Sequence, residues 1–65
     1  MYISESAIKR MLREAGARRV SSEARMEFQR HINRTAFAIA KKAVVLSKHA
    51  KRKTVEASDI KLAAY

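Results

Sequence analysis

The 65-residue sequence predicts an all-α fold, and three observations carry the prediction. It has no proline and one glycine, the residues on which tight turns and hairpins draw most. Ala, Lys, Arg and Glu dominate it, all good helix formers. Its apolar residues recur at helical spacing in three separate segments. No repeat, linker or low-complexity tail interrupts them, so residues 1–65 read as a single domain built as short helix, long helix, short helix.

In the first segment Ile8, Met11, Leu12 and Ala15 fall at i, i+3, i+4 and i+7, one face of a short helix, with Lys9, Arg10 and Arg13 away from the stripe. Gly16, the only glycine, sits just past the stripe, where a helix ends best on a residue free to turn left-handed. The second segment opens at Ser21-Ser22, with Ser21 the better N-cap and Glu23 placed in the first turn. Its apolar and small positions, Ala24, Phe28, Ile32, Ala36, Ile39, Ala43, Leu46 and Ala50, step by three or four throughout, and nothing from Ser22 to Lys48 breaks the helix. Such a rod spans about 40 Å at ~1.5 Å per residue. The third segment carries Val55, Ile60, Leu62 and Ala63. Two starts are open to it: Thr54 is a good cap, whereas Asp59 suits the first turn of a helix beginning near Ala57.

This architecture needs a partner. Met26, Phe37, Val44 and Val45 lie off the main stripe of the long helix, and two short helices cannot cover both sides of a rod about 40 Å long. An uncovered apolar surface of that kind marks association. A two-fold dimer with its long helices crossed is the economical solution. Other remedies for a small core are missing: there is no cysteine for a disulfide or thiolate zinc site, and two histidines make a poor metal site. No stretch approaches the ~20 apolar residues of a membrane span, and no secretory h-region is visible, so an intracellular, cytoplasmic protein is expected. No nucleophile–base pair, phosphate-cradling glycine loop or paired metal carboxylates is present; neither enzyme activity nor a cofactor is expected.

Charge points to the partner. Fifteen Lys and Arg against six Asp and Glu leave a formal +9, doubling to +18 in a dimer, which self-repulsion penalises unless a polyanion neutralises it. The cations gather at Lys9/Arg10/Arg13, Arg18/Arg19 and Lys51/Arg52/Lys53. Two of these clusters precede a helix, whose N-terminus offers free N–H groups and the positive end of the macrodipole. Arg18-Arg19-Val20-Ser21 and Arg52-Lys53-Thr54-Val55 thus read as similar devices for holding a phosphate backbone.

At these residues a resemblance becomes specific. Ala15-Gly16-Ala17-Arg18-Arg19-Val20-Ser21, Ala24-Arg25, His49-Ala50-Lys51-Arg52-Lys53-Thr54-Val55 and Asp59-Ile60 together resemble the histone-fold family, above all the tailless archaeal histones. The match runs without a gap over essentially the whole chain. It implies a histone fold, an obligate intertwined dimer, and sequence-independent binding and wrapping of double-stranded DNA, with the protein on the chromosome. By the same resemblance Arg19 enters the minor groove where it faces the protein. Arg10 contacts phosphates from the first helix, and Lys53 and Thr54 do so from the second loop; Arg13 is expected on DNA with them as part of the first-helix cation cluster. Backbone N–H groups near Val20-Ser21 and Thr54-Val55 complete the contacts. Arg52 and Asp59 match an internal ion pair, and Leu46, His49, Asp59 and Leu62 match the surface joining dimers into tetramers or longer assemblies on DNA.

Three departures stand beside it. No tail is present at either end, so tail-modification signalling is not expected. His31 and Thr35 stand where the family places larger apolar residues. Arg30, Arg34, Lys41 and Lys42 stand on the long helix where acids are usual, which opposes stacking of successive dimers.

His31 reads as a half-buried packing residue, Met11 and Met26 as core fillers, and Tyr2 and Tyr65 as packing at the ends. Arg52–Asp59 reads as an exposed pair worth ~0–1 kcal/mol. Two functions compete with DNA wrapping by a homodimer. One is a histone-fold subunit that heterodimerises, with a paralogue or within a transcription-related complex. The other is a cationic amphipathic peptide acting on membranes, against which the well-formed helix boundaries and interspersed acids argue.

Overall fold

The computed structural model describes residues 2–65, which form three helices and no strand: α1 (Glu5–Glu14), α2 (Ser22–His49) and α3 (Ala57–Ala64). Ser4 caps α1, its Oγ accepting the Ala7 N–H at 3.1 Å, with Glu5 in the first turn and Arg13 in the last to complement the dipole. At the other end the Gly16 N–H donates to the Arg13 carbonyl and the Ala17 N–H to that of Leu12, both at 3.0 Å. This paired closure requires a left-handed residue, and Gly16 supplies it at φ +112°.

Ser21 caps α2 as its position suggests, accepting the Ala24 N–H at 3.1 Å. The helix runs 28 residues, about 42 Å, and ends one residue later than the sequence pattern marks. It closes by the same pair of bonds as α1: the Lys51 N–H donates to the Lys48 carbonyl and the Arg52 N–H to the Ser47 carbonyl, both at 2.9 Å. Here the left-handed residue is Lys51, at φ +59°.

Of the two starts open for α3, the structure takes Ala57, with Glu56 as the extended cap residue. The Asp59 carboxylate accepts the Glu56 N–H at 2.8 Å, satisfying the group that a cap leaves orphaned. Thr54 does not cap; it lies in the preceding loop, and its carbonyl accepts from Arg52.

The chain forms two compact units, Met1–Arg34 and Thr35–Tyr65. In the first, Asn33 and Gln29 hold the start of the chain against α2. The Tyr2 and Ile3 N–H groups donate to Asn33 Oδ1 at 3.1 and 2.7 Å, and Gln29 Nε2 donates to the Ile3 carbonyl at 2.9 Å. Arg25 reaches Glu5 at 3.4 Å, and Ile8 is fully buried. In the second, Ala43, Ser47 and Asp59 are buried, the Ser47 hydroxyl donating to the Val44 carbonyl at 2.8 Å. No helix among the described residues is long and apolar enough to cross a membrane.

The core of the isolated chain is small. Among the described residues Ile8 and Ala43 alone of the apolar side chains are fully buried. Met26, Phe37, Val44 and Val45 of α2 remain exposed, Phe37 by half, as do Ile60 and Leu62 of α3. Met11 and Met26, expected inside, are exposed too. His31 is exposed rather than half-buried, and Tyr65, at 99% exposure, packs on nothing.

Candidate nucleic-acid interface

The first loop, between α1 and α2, gathers cations from both of its sides. Lys9 and Arg13 stand one turn apart on the same face of α1. With Arg18, Arg19, Ala17 and Val20 they line an open concavity of about 270 Å³. The structure thus brings Arg13, Arg19 and Val20 together and adds Lys9 and Arg18 to them. Arg10, three residues before Arg13 on α1, is exposed beside Ala7, Met11 and Glu14. Among the described residues the N–H groups of Arg19, Val20, Ser21 and Ser22 have no acceptor within the chain, so the start of α2 presents open donors beside four cations.

The second loop is built around one ion pair. Arg52 Nη1 donates to Asp59 Oδ2 at 2.8 Å and Nη2 to Oδ1 at 2.9 Å, a two-pronged contact. Nη1 also reaches the Thr54 carbonyl at 3.0 Å and Glu56 at 3.4 Å. The Asp59 side chain is only 5% exposed, so this is a part-buried brace and not the exposed pair that the sequence suggests. Its hydrogen bonds from Arg52 and from the Glu56 N–H hold the Asp59 carboxyl down to about 2.

The two junctions therefore differ in kind. The start of α2 is open, whereas the start of α3 is filled by its own carboxylates, Glu56 and Asp59. Open donors at the second junction belong to the loop itself: among the described residues the N–H groups of Lys53, Thr54 and Val55 have no acceptor within the chain. All three residues are exposed. Of the three consecutive cations Arg52 is committed, while Lys51 and Lys53 make no side-chain hydrogen bond or ion pair among the described residues.

Of the residues expected to join dimers, His49 is exposed beside Val45 and Lys48 at a shallow concavity of about 280 Å³, Leu46 is half-buried, and Leu62 is two-thirds exposed. Asp59 is buried, with Oδ2 accepting two hydrogen bonds and Oδ1 one, so a single acceptor position on Oδ1 is left. No group of three or more His, Asp or Glu that could hold a metal occurs among the described residues.

Two features escaped the sequence pattern. The hold of Asn33 and Gln29 on Tyr2 and Ile3 has no local signature, because it joins residues about 30 apart. The charge asymmetry was visible in principle: between Glu27 and Glu56 the chain carries eight Lys and Arg and no acid.

The sequence profile of the family described as histone-like transcription factor (CBF/NF-Y) and archaeal histone matches residues 1–64. The chain belongs to this histone-fold family. Its short–long–short order of helices is that of the fold. Among curated relatives, the chain is 50% identical over 54 residues to the probable archaeal histone 3 of Methanocaldococcus jannaschii, an alignment covering 83% of this chain and 81% of that one. It is 43% identical over 56 residues to an archaeal HAN1 histone of Thermococcus zilligii, covering 86% and 84%. Histone-fold membership at this identity carries a histone-type DNA-binding role, which is structural and not catalytic.

Proposed function

We propose that the chain is a single histone-fold domain that dimerises through its long helix and wraps double-stranded DNA without reading its sequence, compacting the chromosome of a cell whose cytoplasm it shares. The observation that carries this reading is the pair of loops: each offers free cations together with backbone N–H groups that have no acceptor among the described residues. Such donors fit phosphate oxygens, which position a protein on DNA and carry no base information. Arg19 is the residue assigned to the minor groove, where potential is deepest when the groove narrows. Arg10, Arg13, Lys53 and Thr54 contact phosphates, with the backbone at Val20-Ser21 and Thr54-Val55.

Dimerisation is supported by the small core. With two apolar side chains fully buried among the described residues, and Phe37, Met26, Val44 and Val45 exposed on one helix, the isolated chain leaves more apolar surface in water than a stable small domain does. Assembly beyond the dimer is assigned to Leu46, His49 and Leu62, with His49 of one dimer taking the remaining acceptor position of Asp59 on the next. The positive α2 of each dimer opposes growth off DNA, so dimers are expected in solution and larger assemblies on DNA.

Nuclease digestion of the protein reconstituted on random-sequence duplex tests this. Regularly stepped fragments or one protected length support wrapping, and no protection refutes it. Arg19→Ala should weaken protection more than Lys41→Ala; equal effects would remove Arg19 from the groove. One second reading has support, because the family also includes histone-like transcription factors. In that reading a different histone-fold chain completes the dimer, and the protein alone stays monomeric in sedimentation.

A further inference from the structure

The last turns of α2 carry an exposed face that belongs to neither loop. Lys41, Val44, Val45 and Lys48 stand at i, i+3, i+4 and i+7, neighbours on one face of a helix. All four are exposed, Val44 by 39% and Val45 by 47%. The covered positions of the same stretch are Ala43, Leu46 and Ser47, which leaves these four on the open side. Val45 and Lys48 also line, with His49, a shallow concavity of about 280 Å³. Lys41 and Lys48 make no side-chain hydrogen bond or ion pair among the described residues, and no acid occurs from Phe28 to Val55 to answer them.

The chemistry of this face differs from that of the loops. Each loop sets cations beside open backbone N–H groups, which suit phosphate oxygens. Within a helix the N–H groups are spent on the helix itself. What stands between the two cations here is a pair of valines, from which a phosphate backbone gains nothing. A second copy of the chain fits this face no better. Two crossed helices meet over a few turns near the crossing. A copy laid along the last turns of α2 instead would set Lys41 and Lys48 against like charges. The complementary surface is a helix that reads acid, apolar, apolar, acid at the same spacing.

We propose that Lys41, Val44, Val45 and Lys48 form a docking face for an acidic amphipathic helix of another protein. Its apolar side chains lie on the two valines, and its carboxylates pair with the two lysines. Because His49 lines the same concavity, an occupant also stands in the way of the dimer-to-dimer contact assigned above. The docking face itself does not depend on the DNA reading.

The test uses the full chain and a fluorescent synthetic helix with Glu, Leu, Leu and Glu at i, i+3, i+4 and i+7, read by anisotropy. Polyglutamate is the probe that has the charge without the apolar side chains. The double variant Lys41→Gln/Lys48→Gln should weaken binding of the synthetic helix about tenfold. Val44→Ser/Val45→Ser should weaken it by about as much, while binding polyglutamate as wild type does. No binding of the synthetic helix, or binding that either double variant leaves unchanged, overturns the proposal. So does a valine variant that weakens polyglutamate equally, since charge alone would then be read. Two further measurements look for other occupants. If the valine variant sediments as a monomer while wild type dimerises, the face belongs to a second copy. If the lysine variant flattens the salt dependence of binding to random-sequence duplex, the face belongs to DNA. Either result overturns the proposal and leaves the role of Arg19 in DNA binding to its own test.

Discussion

Asp59 shows how one residue can serve fold and surface together. Its carboxyl is held at about 2, below the ordinary carboxylate range, by Arg52 and by the Glu56 N–H. An unfolded chain protonates the same group near ~3.9. The stability it contributes is therefore complete above about pH 4 and is lost as pH falls towards 2. Thermal melts across that window should show a steep fall for wild type. Asp59→Asn should start lower at neutral pH and lack this component of the fall; an unchanged acid profile would mean that the brace contributes nothing. Gly16 is the simpler case. Among the described residues no atom beyond its chain neighbours lies within 4 Å of where its Cβ would sit, so space permits a side chain there, but its φ of +112° does not. Gly16→Ala should cost about 1–2 kcal/mol in urea unfolding, all of it from the backbone.

Helix boundaries were more legible in the sequence than helix surroundings. Ser21 and Gly16 mark their ends through local chemistry, a hydroxyl next to an orphan N–H and a residue free to turn left, and local chemistry is what a sequence displays. Ser21→Ala should lose about 1 kcal/mol by the same unfolding assay, and Ser21→Asn close to none, because asparagine caps as well. At the start of α3 two local signals competed, and the one realised is Asp59, which accepts the Glu56 N–H three residues before it and also binds Arg52, seven residues earlier. The site divides in the same way. The cations of both loops are plain in the sequence. The commitment of Arg52 to Asp59 follows the pair that the resemblance implies, whereas the left-handed turn at Lys51 depends on backbone geometry, which charge patterning does not encode.

For the molecule as a whole, the deficit is apolar burial. A chain that fully buries only Ile8 and Ala43 among its described apolar side chains should not persist alone, so helicity and mass should change together. Sedimentation at micromolar concentration should give twice 7.4 kDa, and dilution should lower the melting temperature. A helical 7.4 kDa species with a concentration-independent melt would contradict the dimer. The hydrogen bonds described above have a further consequence, for kinetics. The longest joins Tyr2 to Asn33, 31 residues apart, and most of the rest are far shorter. Contacts as local as these form within milliseconds. Encounter between two chains is left as the slow event, and its rate rises with concentration, unlike any step within one chain. A newly made molecule then remains exposed to proteases for a time set by how many copies surround it, so the abundance of the protein governs its own survival.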